Sequence, residues 1–111
     1  MAKLTNQSEV RVISPEGHLR MGDQVDWLRN KVDANLATGH ARLVIDMSKV
    51  TSIDSSAIGV LVRSLSLSKQ KGGTVKLAAV PTNAVQVLKV TGILKLFETF
   101  SDSVQALNSF A

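Results

Sequence analysis

The sequence predicts an α/β fold: a single-layer sheet of four to five mostly parallel strands packed with about four helices. Three observations carry that expectation. Short β-branched runs alternate along the chain with longer segments of helical period, in the order β, a second short β, α, β, α, β, α, β, α, which calls for right-handed crossovers between parallel strands. At 111 residues the chain has the length of one domain with one core, spanning 1–111. The aromatic share is only 4% against 44% apolar residues, so the core is Val, Leu, Ile and Ala, as α/β layers favour.

Taken in order, residues 1–8 read as a loose N-terminal extension. Glu9 to Ser14 alternates around V-R-V, the period-two pattern of a half-buried strand, and Pro15-Glu16-Gly17 reads as a turn. His18-Leu19-Arg20 fits a second short strand returning beside the first. From Asp23 to Thr38, Val25, Leu28, Val32 and Leu36 form one apolar helical stripe, with Trp27 at its edge and Gly39 as the stop. Arg42 to Met47 holds L-V-I, a strand buried on both faces.

The next stretch, Val50 to Leu65, begins as a polar turn and passes abruptly into a helical pattern. Asp54, Ser55 and Ser56 stand at the boundary as an N-cap, since their side chains accept hydrogen bonds from the unpaired N–H groups of a first helical turn. The central helix runs from Ser56 to about Gln70, ended by Lys71-Gly72-Gly73. Thr74 to Val80 is a strand. Pro81 opens a helix bearing Ala84, Val85, Val87 and Leu88, which Gly92 closes. Phe97 to Phe100 is the last strand, and Ser101-Asp102 caps a short helix carrying Val104, Ala106 and Leu107.

Composition excludes several classes of chemistry. The net charge of +4 comes from scattered basic residues, and the one close group, Lys69, Lys71 and Lys76, lacks interleaved aromatics, so it reads as solvated surface with no direct nucleic-acid partner. There is no cysteine, which removes disulfides, thiolate catalysis and the usual structural zinc sites. No apolar run suits a secretory signal or a membrane span, so Asn6-Gln7-Ser8 carries no weight as a glycosylation acceptor, and a cytoplasmic location is expected. His18 and His40 lie in or beside expected turns with no carboxylate to fix them, no G-x-S-x-G elbow surrounds Ser55 or Ser56, and Lys71-Gly72-Gly73-Thr74 lacks phosphate-loop spacing. The expectation is no enzyme, no metal and no cofactor.

What remains is the boundary itself, whose hydroxyls are presented at a sheet edge, where open α/β folds place ligand and partner sites. Asp54-Ser55-Ser56-Ala57-Ile58-Gly59 closely resembles the D-[ST]-[ST]-[GA]-[LI]-G signature of the STAS domain, found in anti-sigma factor antagonists. The resemblance extends through V-I-D-M-S-K-V-T-S-I-D-S-S before it, Gly72-Gly73 with Val75 and Leu77, and Val90-Thr91-Gly92-Ile93 with Phe97. Two departures stand out. Gly17-His18-Leu19-Arg20 occupies the place of the family's frequent Gly-Glu-Leu-Asp or Gly-Glu-Ile-Asp, and Ala57 replaces the commoner Gly.

The resemblance implies an anti-sigma factor antagonist that binds an anti-sigma factor serine kinase when unphosphorylated, releasing a sigma factor. Phosphorylation of Ser55, with Ser56 as the alternative, would switch it off, and a serine phosphatase would reverse this. The implied partner-binding residues are Asp54, Ser55, Ser56, Ala57, Gly59, Ser52 and Arg63, with Thr51 beside them. The alternative is a STAS scaffold or regulatory subunit of a signalling or lipid-transport complex with no phospho-switch.

Overall fold

A computed structural model of the chain describes residues 10–110. The expected extension at 1–8 and the first residue of the first strand, Glu9, lie outside them. In chain order the described elements are β1 (Val10–Ile13), β2 (Glu16–Leu19), α1 (Asp23–Ala37), β3 (Arg42–Asp46), β4 (Lys49–Ile53), α2 (Ser55–Gln70), β5 (Thr74–Ala78), α3 (Thr82–Val90), β6 (Thr99–Phe100) and α4 (Ser103–Asn108), with a 3-10 turn at Leu94–Leu96. Strands β1, β3, β5 and β6 form a four-stranded sheet in that order, every pair parallel, while β2 and β4 form a separate parallel pair. The α/β fold with a mostly parallel sheet and four helices is the one expected.

The centre of the sheet follows directly from the chain. Leu43, Val44 and Ile45 of β3 are completely buried, because β3 lies between two neighbours and is covered on both faces. Leu43 and Ile45 point to the inner face with Val75 and Leu77, where they meet Val25, Leu28, Val32 and Leu36 of α1, Ala57, Val60, Leu61 and Leu65 of α2, and Ala84 and Leu88 of α3. Val44 points the other way, into a smaller outer cluster with Val10, Ala78 and Ala106 of α4. Trp27 is 39% exposed, at the edge of the α1 stripe as the helical wheel places it.

Several expectations are corrected. Glu16 and Gly17 are not a turn but the start of β2, and β2 pairs with β4 rather than returning beside β1. The start of the Val50–Leu65 stretch, expected as a polar turn, lies in strand β4, Lys49–Ile53. Its V-T-S-I core has too few apolar residues to alternate clearly, and its strand form comes from the ladder with β2, whose register slips between Gly17 and His18. The last strand shrinks to Thr99–Phe100, since Leu94–Leu96 winds as a 3-10 turn and Phe97 turns into the main core. Val104 is 63% exposed and Ala106 carries the contact of α4. Lys69 and Lys71 are solvated as expected, but Lys76 is only 6% exposed.

Helix α2 also buries two serines on its core side. The Ser64 hydroxyl bonds back to the Val60 carbonyl at 2.6 Å, whereas the Ser68 hydroxyl has no partner among the described residues. A buried, unpaired hydroxyl costs free energy that a methyl group does not. Ser68→Ala should therefore raise stability by about 1 kcal/mol, read as a higher urea midpoint at unchanged m-value. A lower midpoint would show that the hydroxyl is satisfied in solution.

Candidate functional site

Strand β4 ends at Ile53 and α2 begins at Ser55, which leaves Asp54 between them with extended backbone, φ −120° and ψ −175°. That is the conformation from which an N-cap side chain reaches the first turn of its helix. Asp54 Oδ1 accepts the Ser56 N–H at 2.9 Å, the Ala57 N–H at 3.1 Å and the Ser56 hydroxyl at 2.5 Å. The other oxygen, Oδ2, accepts the Met21 N–H at 3.0 Å, and the Asp54 N–H donates to the Leu19 carbonyl at 3.0 Å. One carboxylate thus joins the start of α2 to the corner between β2 and α1.

These bonds all favour the charged carboxylate. The Ser56 hydroxyl is the largest influence, followed by the Met21 amide, with the Ala57 and Ser56 amides adding to them. Together they outweigh partial desolvation and lower the Asp54 pKa from 3.8 to about 2. The carboxylate is committed to the cap and carries a full negative charge at neutral pH.

The hydroxyls on either side of the cap differ. Ser56 is half-buried and spends its hydroxyl on Asp54, whereas Ser55 is exposed and its hydroxyl has no hydrogen-bond partner among the described residues. Ala57 is fully buried in the main core, so its expected place in a contact surface is corrected: its side chain packs and offers nothing to a partner. Gly59 lies one turn beyond Ser55 on the same exposed face, and a Cβ built there would meet nothing within 4 Å. Nothing in the described fold requires glycine at that point, even though glycine weakens a helix interior.

Arg63 is farther away. It follows Ser55 by two turns, about 12 Å along the helix, and forms an ion pair with Asp33 of α1 through contacts of 3.0 and 3.3 Å. Ser52 lies close beneath the cap, where its hydroxyl is 2.7 Å from His18 Nδ1, and the Thr51 hydroxyl is 3.0 Å from the same nitrogen. The Asn83 side-chain amide donates to the Thr51 carbonyl at 2.6 Å, which ties the start of α3 to β4. His18 is therefore a brace between β2 and β4. The roles of Met21, Leu19 and Asn83 carry no sequence signal, because each bond joins residues more than thirty positions apart.

The cap presents Ser55 and Gly59 on an exposed surface at the start of α2. Among the described residues no group of three or more His, Cys, Asp or Glu is placed to hold a metal ion. A cavity of about 380 Å³ lies elsewhere, against the start of α1, lined by Ser14, Glu16, Asp23, Gln24 and Trp27. What the cap offers chemically is a free hydroxyl at the positive end of a sixteen-residue helix, a place that tolerates added negative charge.

Comparison with known proteins bears on the family and the fold. The family model described as the STAS domain matches residues 2–106. A protein of Thermotoga neapolitana, named as a candidate anti-sigma factor antagonist homolog, is 26% identical over 100 residues, covering 87% of this chain and 88% of its own length. A crystal structure of a candidate anti-sigma factor antagonist from Thermotoga maritima superposes with a TM-score of 0.84 at 22% identity, covering 92% of this chain and 87% of that one. A sulfate transporter family protein from Wolinella succinogenes gives a TM-score of 0.80 at 18% identity, covering 92% and 84%, so the same fold serves differently named proteins. No helix among the described residues is long and apolar enough to cross a membrane.

Replacing the cap should be felt in both stability and its pH dependence. Asp54→Ala is expected to lower the folding equilibrium constant at neutral pH by about fivefold, the usual loss for an N-cap. Since the folded carboxyl titrates near 2 and the unfolded one near 3.8, the Asp54 contribution is complete above that range and is lost as pH falls through it. Urea titrations of the two proteins should thus converge between those pH values. A constant separation throughout would show that the carboxylate is not held as described.

Proposed function

The chain belongs to the STAS domain family, and we propose that within it the chain acts as an anti-sigma factor antagonist switched at Ser55. In this reading the unmodified protein binds an anti-sigma factor serine kinase in the cytoplasm and thereby frees a sigma factor. The kinase moves the γ-phosphoryl group of ATP onto Ser55 Oγ: the new O–P bond forms as the bond to ADP breaks, and the hydroxyl proton passes to the kinase. A serine phosphatase restores the hydroxyl by hydrolysis. The chain itself catalyses neither step.

The observation that carries this reading is the difference between Ser55 and its neighbours. Ser55 alone among the cap residues is both exposed and unbonded, while Asp54 and Ser56 are spent on each other. A phosphate there adds about −1.5 to −2 charges and three strong acceptor oxygens. The α2 terminus tolerates that charge, so the fold need not change. A partner surface shaped to cover a neutral hydroxyl beside ionised Asp54 must instead desolvate or repel the phosphate, and each 1.4 kcal/mol lost weakens binding about tenfold. Gly59 is consistent with close approach of a partner over the first turns, with Ser52 at the margin of the same surface and Arg63 at its far end.

Incubation with the cognate kinase and ATP should add one phosphate to wild-type protein and to Ser56→Ala, and none to Ser55→Ala. Ser55→Ala should still bind the kinase, and Ser55→Asp should bind at least tenfold more weakly. A phosphate retained in Ser55→Ala but lost in Ser56→Ala would move the switch to Ser56. Binding that ignores the state of Ser55 would favour a scaffold or regulatory subunit. Gly59→Ala should stabilise the isolated domain by about 0.5–1 kcal/mol while weakening kinase binding; unchanged binding would remove Gly59 from the contact surface.

A further inference from the structure

The outer face of the four-stranded sheet carries a buried cation on a central strand. The parallel register aligns Val12 of β1, Val44 of β3 and Lys76 of β5 in one row across that face. The Lys76 amine reaches Ser109 Oγ at 2.8 Å and the Ser109 carbonyl at 3.4 Å, and it stands 4.1 Å from the ring centre of Phe110 and 5.7 Å from that of Phe100. Both ring distances lie within the range of cation–π attraction. Glu98 is 3.7 Å away, but its side chain is 67% exposed and solvent screens the pair.

Otherwise the last segment is held by modest apolar contact, with partly buried Leu107 and Phe110 packed beside Phe100 against the outer cluster. Helix α4 has six residues, too few to be stable alone, and Ala106 is the one buried residue it contributes. Its small outer cluster is distinct from the main cluster that joins α1, α2 and α3 to the inner face. Docking takes the Lys76 ammonium out of water, and undocking returns it there, so the closed arrangement holds only while Ser109 and Phe110 supply the replacement contacts.

We propose that Lys76 pins a C-terminal strap, Ser103–Phe110, to the outer face of the sheet, and that this strap opens as a unit while the α1–α3 side stays folded. Opening uncovers Val44, Ala78 and the face of Phe100 without touching the Asp54 cap. The strap is a local, charge-held closure on the side of the sheet opposite α2. It does not depend on the phosphorylation of Ser55.

Hydrogen exchange on the full chain tests this. In Lys76→Met, which keeps the stem and removes the charge, the amides of Ala106, Ser109 and Phe110 should exchange about tenfold faster or more, while those of α2 change by less than about twofold. Phe110→Ala should reproduce the pattern from the other side of the contact, and Lys76→Arg should retain protection. Unchanged or slower strap exchange in Lys76→Met would overturn the proposal, because docking would then rest on apolar contact. Equal acceleration in α2 would also overturn it, because the segment would then open only with the whole domain. Should Lys76→Met not fold, the same reading in Phe110→Ala decides.

Discussion

The architecture of the site depends on one carboxylate. The Asp54 carboxylate accepts four hydrogen bonds and the Asp54 N–H donates another, and these reach both the first turn of α2 and the β2–α1 corner. The corner needs that support, because β2 and β4 form an isolated parallel pair, a unit with little stability of its own in water. Asp54 at one end and Asn83 from α3 tie the pair to the rest of the molecule, and His18 braces its two strands against each other. The helix start and the ribbon beneath it are consequently one rigid surface.

That rigidity separates the residues that hold the fold from the available ones. Asp54, Ser56 and Ala57 are occupied by capping and packing, and Ser55 and Gly59 are left facing solvent on the same side of α2. Chemical change at Ser55 can alter surface charge without breaking a bond that holds the domain together. A switch of the kind proposed at Ser55 would act through what a partner must desolvate, not through refolding of its own chain.

The two faces of the sheet are held by different means. The inner face buries long aliphatic stripes from three helices, which gives it most of the apolar contact in the described fold. The outer face has one short helix, a small cluster of Val10, Val44, Ala78 and Ala106 with partly buried Phe100, Leu107 and Phe110, and a buried lysine whose charge is met by a hydroxyl, a carbonyl, two rings and the exposed Glu98. Non-directional burial makes the first side tolerant. Directed contacts to a single cation make the second side contingent on that cation.

Local pattern was enough to place β1, β3, β5 and the three longer helices, because periodicity along those segments reports which side chains face a core. The cap at Asp54 was legible for the same reason, its chemistry being local, but neither serine hydroxyl accepts an N–H as expected: Ser56 donates to Asp54 and Ser55 is unbonded. Strand β4 was not legible, since Thr51 and Ser52 have no pattern of their own and become a strand only against β2. Burial of Lys76 and the part played by Met21 were equally hidden, because each depends on groups about thirty positions away in the chain. The sequence by itself therefore determined the layers, the family signature and the candidate hydroxyls. Only the tertiary structure decided which hydroxyl is free, which lysine is buried and which strand carries the cap, because those properties belong to neighbours in space that no local window contains.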